Sequence, residues 1–120
     1  MSVSGLLDWQ WRGYRTYHGS RTNLLIHIVA VPLFLAGNVG LLAALIGRSW
    51  VLAGASLLAM VVSLALQGRG HRQEEVPPEP FTGPANAVAR LFLEQWVTFP
   101  RFVLSGGWLR ALRRESSLQG

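Results

Sequence analysis

Hydrophobic and polar positions fall into blocks along this chain rather than into a fine alternation. Leu24 to Ile46 is a run of 23 residues without a formal charge, and Trp50 to Leu66 is a second run of 17, separated only by Gly47-Arg48-Ser49. About 20 apolar residues in a helix cross a bilayer, so the first run suffices for one span with some tilt and the second is short but sufficient. The pair predicts a helical hairpin. Pro32 and the Gly37-Asn38 pair lie inside the first run and predict a kink near one of them.

The flanks read differently. Asp8 to Tyr17 mixes arginines with Trp9, Tyr14 and Tyr17, whose rings favour the headgroup level, so a short interfacial helix is expected there. Gly19-Ser20-Arg21 breaks it, with Thr22 or Asn23 able to cap the first span. Polarity returns at Gln67, and the proline-rich stretch that follows predicts a loop over 67–84. From Ala85 to Leu104 the period is helical again, and Pro100 ends or kinks the helix. Val88, Leu91, Phe92, Gln95, Trp96 and Phe99 share one face, with Asn86, Arg90, Glu94 and Thr98 opposite. Arg90 and Glu94 read as an i, i+4 pair, and Arg110, Arg113 and Arg114 as a solvated tail. The expected fold is all-α: one membrane-embedded domain, 1–120, with two spans and flanking amphipathic helices.

Charge sharpens this picture. Charged residues are only 14% of the chain, against roughly 25% in a soluble domain. The net charge of +5 raises nucleic acid as a partner, but the eleven arginines bracket the apolar runs instead of forming a stripe, which argues against it. Positive residues stay cytoplasmic, so both termini and the 67–83 segment are expected inside and the Arg48 turn outside. Eleven arginines and no lysine match a GC-rich bacterial genome, hence a bacterial inner membrane. No cysteine is present, which excludes disulfides and thiolate sites. No cleavable signal precedes the first apolar run, by its flanks.

That topology gathers the histidines. His27 lies one turn inside the first span, His71 lies just past the second, and His18 enters the first. An antiparallel hairpin therefore brings all three histidines of the chain to one membrane face. Asn23 shares a helix face with His27; Gln67 lies four residues before His71 and Glu75 four after. Three imidazoles, amides and a carboxylate around one hollow compose a metal site with supporting partners, suited to iron, zinc, copper or nickel. Nucleotide-binding and hydrolase motifs are absent, and no serine has a His–Asp context.

Tyr17-His18, Asn23 and His27 (H-x4-N-x3-H), Val31-Pro32, and Gln67-x-x-Gly70-His71 with Glu75 resemble the 2-hydroxy fatty acid dioxygenase family, over roughly Tyr14 to Phe102. The resemblance implies an Fe(II) enzyme that uses O2 to shorten a 2-hydroxy fatty acid by one carbon. It implies His18, His27 and His71 as iron ligands and Glu75 as the acidic residue. The substrate would chelate iron through carboxylate and hydroxyl, its carboxylate attracted by Arg69 or Arg72. Arg72-Gln73 between His71 and Glu75, and the proline content that follows, depart from the family pattern. Two other classes remain open on the residues: a non-catalytic membrane protein, and a different metalloenzyme such as a zinc hydrolase. Metal content separates the first, and oxygen dependence the second.

Overall fold

The computed structural model describes residues 2–119, with side chains described as far as Arg114. All regular structure among the described residues is helical. The chain runs α1 (Val3–Tyr17), α2 (Arg21–Gly47), α3 (Trp50–His71), α4 (Pro84–Leu93), a π-helical turn (Glu94–Thr98), α5 (Phe99–Leu104) and α6 (Gly107–Gln119). Helices α2 and α3 are long and apolar enough to cross a membrane, and they pack on each other as an antiparallel hairpin.

Local chemistry sets the helix ends. The Ser2, Ser20 and Ser49 hydroxyls accept from the backbone N–H groups of Gly5, Asn23 and Leu52, each satisfying a donor with no partner inside its helix. The cap of α2 is thus Ser20, not Thr22 or Asn23. At the hairpin tip Arg48 takes the left-handed conformation (φ 52°), and its N–H donates to the Ala44 carbonyl.

Small residues set the spacing of the hairpin. A Cβ on Gly37 would collide with Met60 and the Ser56 carbonyl of α3, so glycine there lets the backbones approach. Several polar groups between the helices are paired. The Ser63 hydroxyl donates to the Ala30 carbonyl, and Gln67 and Gln95 exchange two amide hydrogen bonds of 2.8 and 2.7 Å. Unsatisfied, each buried amide would cost several kcal/mol, of the order of 2–7.

That Gln67–Gln95 pair corrects the expected start of the loop. α3 continues to His71, so 67–71 is helix, and only 72–83 lies between helices. The segment 84–104 is not one even helix, and it packs along the hairpin, with Phe92 against Phe34 and Trp96 donating to Asn38. The chain beyond it is helical too. In α6, Trp108 donates to the Leu24 carbonyl at 2.8 Å, and Ala111 joins the core formed by Tyr14, Leu24, Val31, Phe99 and Phe102. Helices α1 and α6 accordingly gather at the end of the hairpin where α2 begins and α3 stops.

Candidate metal centre

Three elements deliver the three histidines to that end. His18 terminates α1, His27 faces inward from the second turn of α2, and His71 ends α3. Their ring centroids lie 4.9 Å (His18–His27), 4.7 Å (His18–His71) and 5.1 Å (His27–His71) apart, with the planes nearly perpendicular in every pair. One potential ligand atom from each, and one carboxylate oxygen of Glu94, fall within 4.8 Å of one another. Ligands about 2.1 Å from a metal stand roughly 3–4 Å apart, so small movements would close this group around an ion.

The hydrogen bonds fix which nitrogen faces the centre. A carbonyl only accepts, so Nδ1 of His18, 2.9 Å from the Tyr14 oxygen, carries the proton; so does Nδ1 of His27, 3.1 Å from the Asn23 oxygen. Backbone carbonyls commonly fix ligating histidines in this way. Both Nε2 atoms are thereby directed inward, where a neutral imidazole presents a lone pair. They and Nδ1 of His71 are buried without a hydrogen-bond partner among the described residues. Three orphaned buried nitrogens beside one carboxylate are poor packing for a core and a good donor set for a metal.

Glu94 is the carboxylate of the group. Its Oε2 lies 3.0 Å from His18 Nε2, without hydrogen-bond alignment, and 3.9 Å from His27 Nε2. The Tyr14 hydroxyl donates to that oxygen at 2.8 Å, and the Tyr14 ring stacks on His18 at 3.8 Å and 6°. Burial alone would raise the Glu94 carboxyl, but the imidazoles, His18 first, and the Tyr14 hydroxyl hold it at about 2. Burial and the Glu94 charge both push the Tyr14 phenol well above its ordinary value, so it remains a donor.

Periodicity had put Glu94 on the outer face, paired with Arg90. The π turn is the reason it is not there. The Phe99 N–H donates back to the Glu94 carbonyl, five residues away, and the wider turn brings Glu94, Gln95 and Thr98 inward together while Trp96 faces out. The turn lies just ahead of Pro100, which has no N–H with which to continue an α-helical ladder. Arg90 is occupied elsewhere: it donates to the Glu79 and Pro80 carbonyls and lies over the Trp9 and Phe81 rings.

Glu75 does not join the group. The helix ends at His71, so the i, i+4 relation fails, and Glu75 is exposed. Its neighbour Glu74 has a structural task instead. The Glu74 carboxylate accepts from the backbone N–H groups of Gly19 and Ser20 and from Nδ2 of Asn23 at 2.6 Å, clamping the start of α2. Asn23 supports the centre in two ways, through its carbonyl to His27 and its amide to Glu74. Gln67 is locked to Gln95 and lines the adjoining cleft. Arg72 lines that cleft as well, whereas Arg69 is exposed outside it. Gly70 allows the close contact of the two helices here, since a Cβ would strike the Asn23 side chain.

The centre opens into a cleft of about 960 Å³ between α1, the end of α3, the proline-rich loop and α4. His18, His71 and Glu94 are part of its wall. Comparison with protein-family models, with curated proteins and with solved structures returned no match for the chain. The class that fold and site define is an all-helical protein with two helices able to span a membrane and a His/Glu group able to hold a metal.

Proposed function

We propose that this protein is a membrane-embedded, Fe(II)-dependent dioxygenase that shortens 2-hydroxy fatty acids by one carbon. The observation that carries the reading is the group of three orphaned imidazole nitrogens and Glu94 at the end of an apolar hairpin, open to a large cleft. The resemblance of His18, Asn23, His27, Gln67, Gly70 and His71 to the 2-hydroxy fatty acid dioxygenases supplies the choice of iron and substrate.

Bound iron would bring O2 chemistry to the site, which side chains alone do not offer. His18, His27, His71 and Glu94 would hold it. The chain's other groups orient and enclose. The Tyr14 and Asn23 carbonyls hold two imidazoles in the ligating tautomer, and the Tyr14 hydroxyl fixes Glu94. Arg72, at the cleft wall, draws the carboxylate in.

The reaction balances with one O2: a 2-hydroxy acid and O2 give the acid one carbon shorter, CO2 and water. A plain fatty acid, one oxidation level lower at C2, does not balance with a single O2. Iron-loaded protein in detergent with O2 should therefore shorten a long-chain 2-hydroxy acid and leave the unsubstituted acid untouched, read by mass spectrometry. Failure on 2-hydroxy acids of several chain lengths would end this reading.

The same proposal places the protein in a bacterial inner membrane with both termini cytoplasmic, on the distribution of arginines around α2 and α3. The metal centre would then lie at the cytoplasmic face.

A further inference from the structure

The cleft wall carries both charged and apolar side chains. Arg12 and Arg72 line it, and so do Leu64 and Leu91. Leu64 is seven residues before His71 on α3, about 10 Å towards the middle of the hairpin at 1.5 Å per residue. The cleft thus follows α3 from the metal centre into the depth at which the apolar run would meet lipid.

Gly68 lies between them, one turn from Leu64 and one from His71, on the same cleft wall. Glycine inside a helix is unfavourable by about 1 kcal/mol relative to alanine. At Gly37 and Gly70 an added Cβ would strike the facing helix, which accounts for the glycine. At Gly68 an added Cβ would meet nothing within 4 Å. The missing side chain there leaves space in the cleft rather than room for a neighbouring helix.

The charges are equally unequal. Arg12 pairs with Asp8 at 3.1 Å, and Arg90 is held by the proline-rich loop. The Arg72 guanidinium makes no hydrogen bond or ion pair among the described residues, although it stands on the cleft wall beside His71. An occupant with one anionic end and one apolar tail matches a free guanidinium beside His71 and a leucine, Leu64, about 10 Å deeper along α3.

We infer that the cleft is a lateral portal from one leaflet, seating a single acyl chain along Leu64, Gly68 and Leu91 with its carboxylate at Arg72, and that Gly68 governs which chains enter. The inference rests on the reading of the protein as a membrane enzyme of fatty acids. The chain reaches the metal centre without leaving the bilayer, and its length and bulk are read at Gly68 rather than by the ligands.

The test is photolabelling of the full chain in lipid nanodiscs with a long-chain fatty acid carrying a diazirine at its methyl end. The acid lacks the 2-hydroxyl, so labelling proceeds without turnover. Label should concentrate on α3 and α4 near Leu64 and Leu91. Gly68→Leu should lower it about tenfold, the order expected when a bulky side chain overlaps the space a ligand needs. Metal content should stay at the wild-type level. Arg72→Glu should lower labelling without moving it. Label spread over outward residues such as Val51, Val61 and Val62, or undiminished in Gly68→Leu, overturns the portal. Should Gly68→Leu misfold, the wild-type label map decides alone. Portal labelling in a protein that never shortens 2-hydroxy acids would sink the activity and keep the portal; turnover with label elsewhere would do the reverse.

Discussion

Tyr14→Phe isolates one hydrogen bond of the centre. Tyr14 meets the site in three ways: its carbonyl accepts from His18 Nδ1, its ring stacks on His18, and its hydroxyl donates to Glu94 Oε2 at 2.8 Å. Phenylalanine keeps the first two and deletes the third. A hydrogen bond to a charged group contributes about 1.5–3 kcal/mol, and losing a partner of a metal ligand lowers metal affinity roughly ten- to a hundredfold. The variant should therefore bind Fe(II) about 10–100 times more weakly while its helix content is unchanged. Anaerobic titration in detergent against a competing chelator measures this. Tyr14→Ala also removes a buried aromatic body, about 3–5 kcal/mol, and should unfold more readily besides. Wild-type affinity in Tyr14→Phe would refute the reasoning, because Glu94 would then not need its donor to serve the centre.

The remaining predictions concern the clamp and the orientation. Glu74→Gln removes the charge that serves the Gly19 and Ser20 N–H groups and Asn23, so thermal stability in detergent should fall by about 1–3 kcal/mol; unchanged unfolding would show that the clamp is not needed. Reporter fusions after Gly120 and at the Arg48 turn should answer on opposite sides of the membrane. A C-terminus outside would contradict the assignment of the metal centre to the cytoplasmic face.

The parts of this architecture that could be read in the sequence are those that follow from simple periodicity and topology. Two uncharged runs with a three-residue break imply a hairpin, and a hairpin joins His27 to His71 whatever the details. His18 follows because the short Gly19-Ser20 break leaves little room to move away. Glu94 was hidden by the π turn, since a 3.6-residue period assigns it and Gln95 to opposite faces. One signal was available: Glu94 is the sole carboxylate between Phe81 and Arg114, six residues before a proline inside a helical pattern. Glu75 lies past the end of α3, where the i, i+4 relation to His71 does not hold. The extra turn of α3 was equally hidden, as Gln67 and Gly70 look like loop residues until Gln95 and Asn23 are set against them.

The central claim is that His18, His27, His71 and Glu94 hold one metal ion, and metal content measures it most directly. Protein purified anaerobically in detergent and supplied with Fe(II) should carry close to one iron per chain. His27→Ala and Glu94→Ala should lose most of it, while Glu75→Ala, whose carboxylate is exposed and outside the group, should keep it. Wild-type protein that retains no metal, or Glu94→Ala with full occupancy beside a depleted Glu75→Ala, would contradict the account.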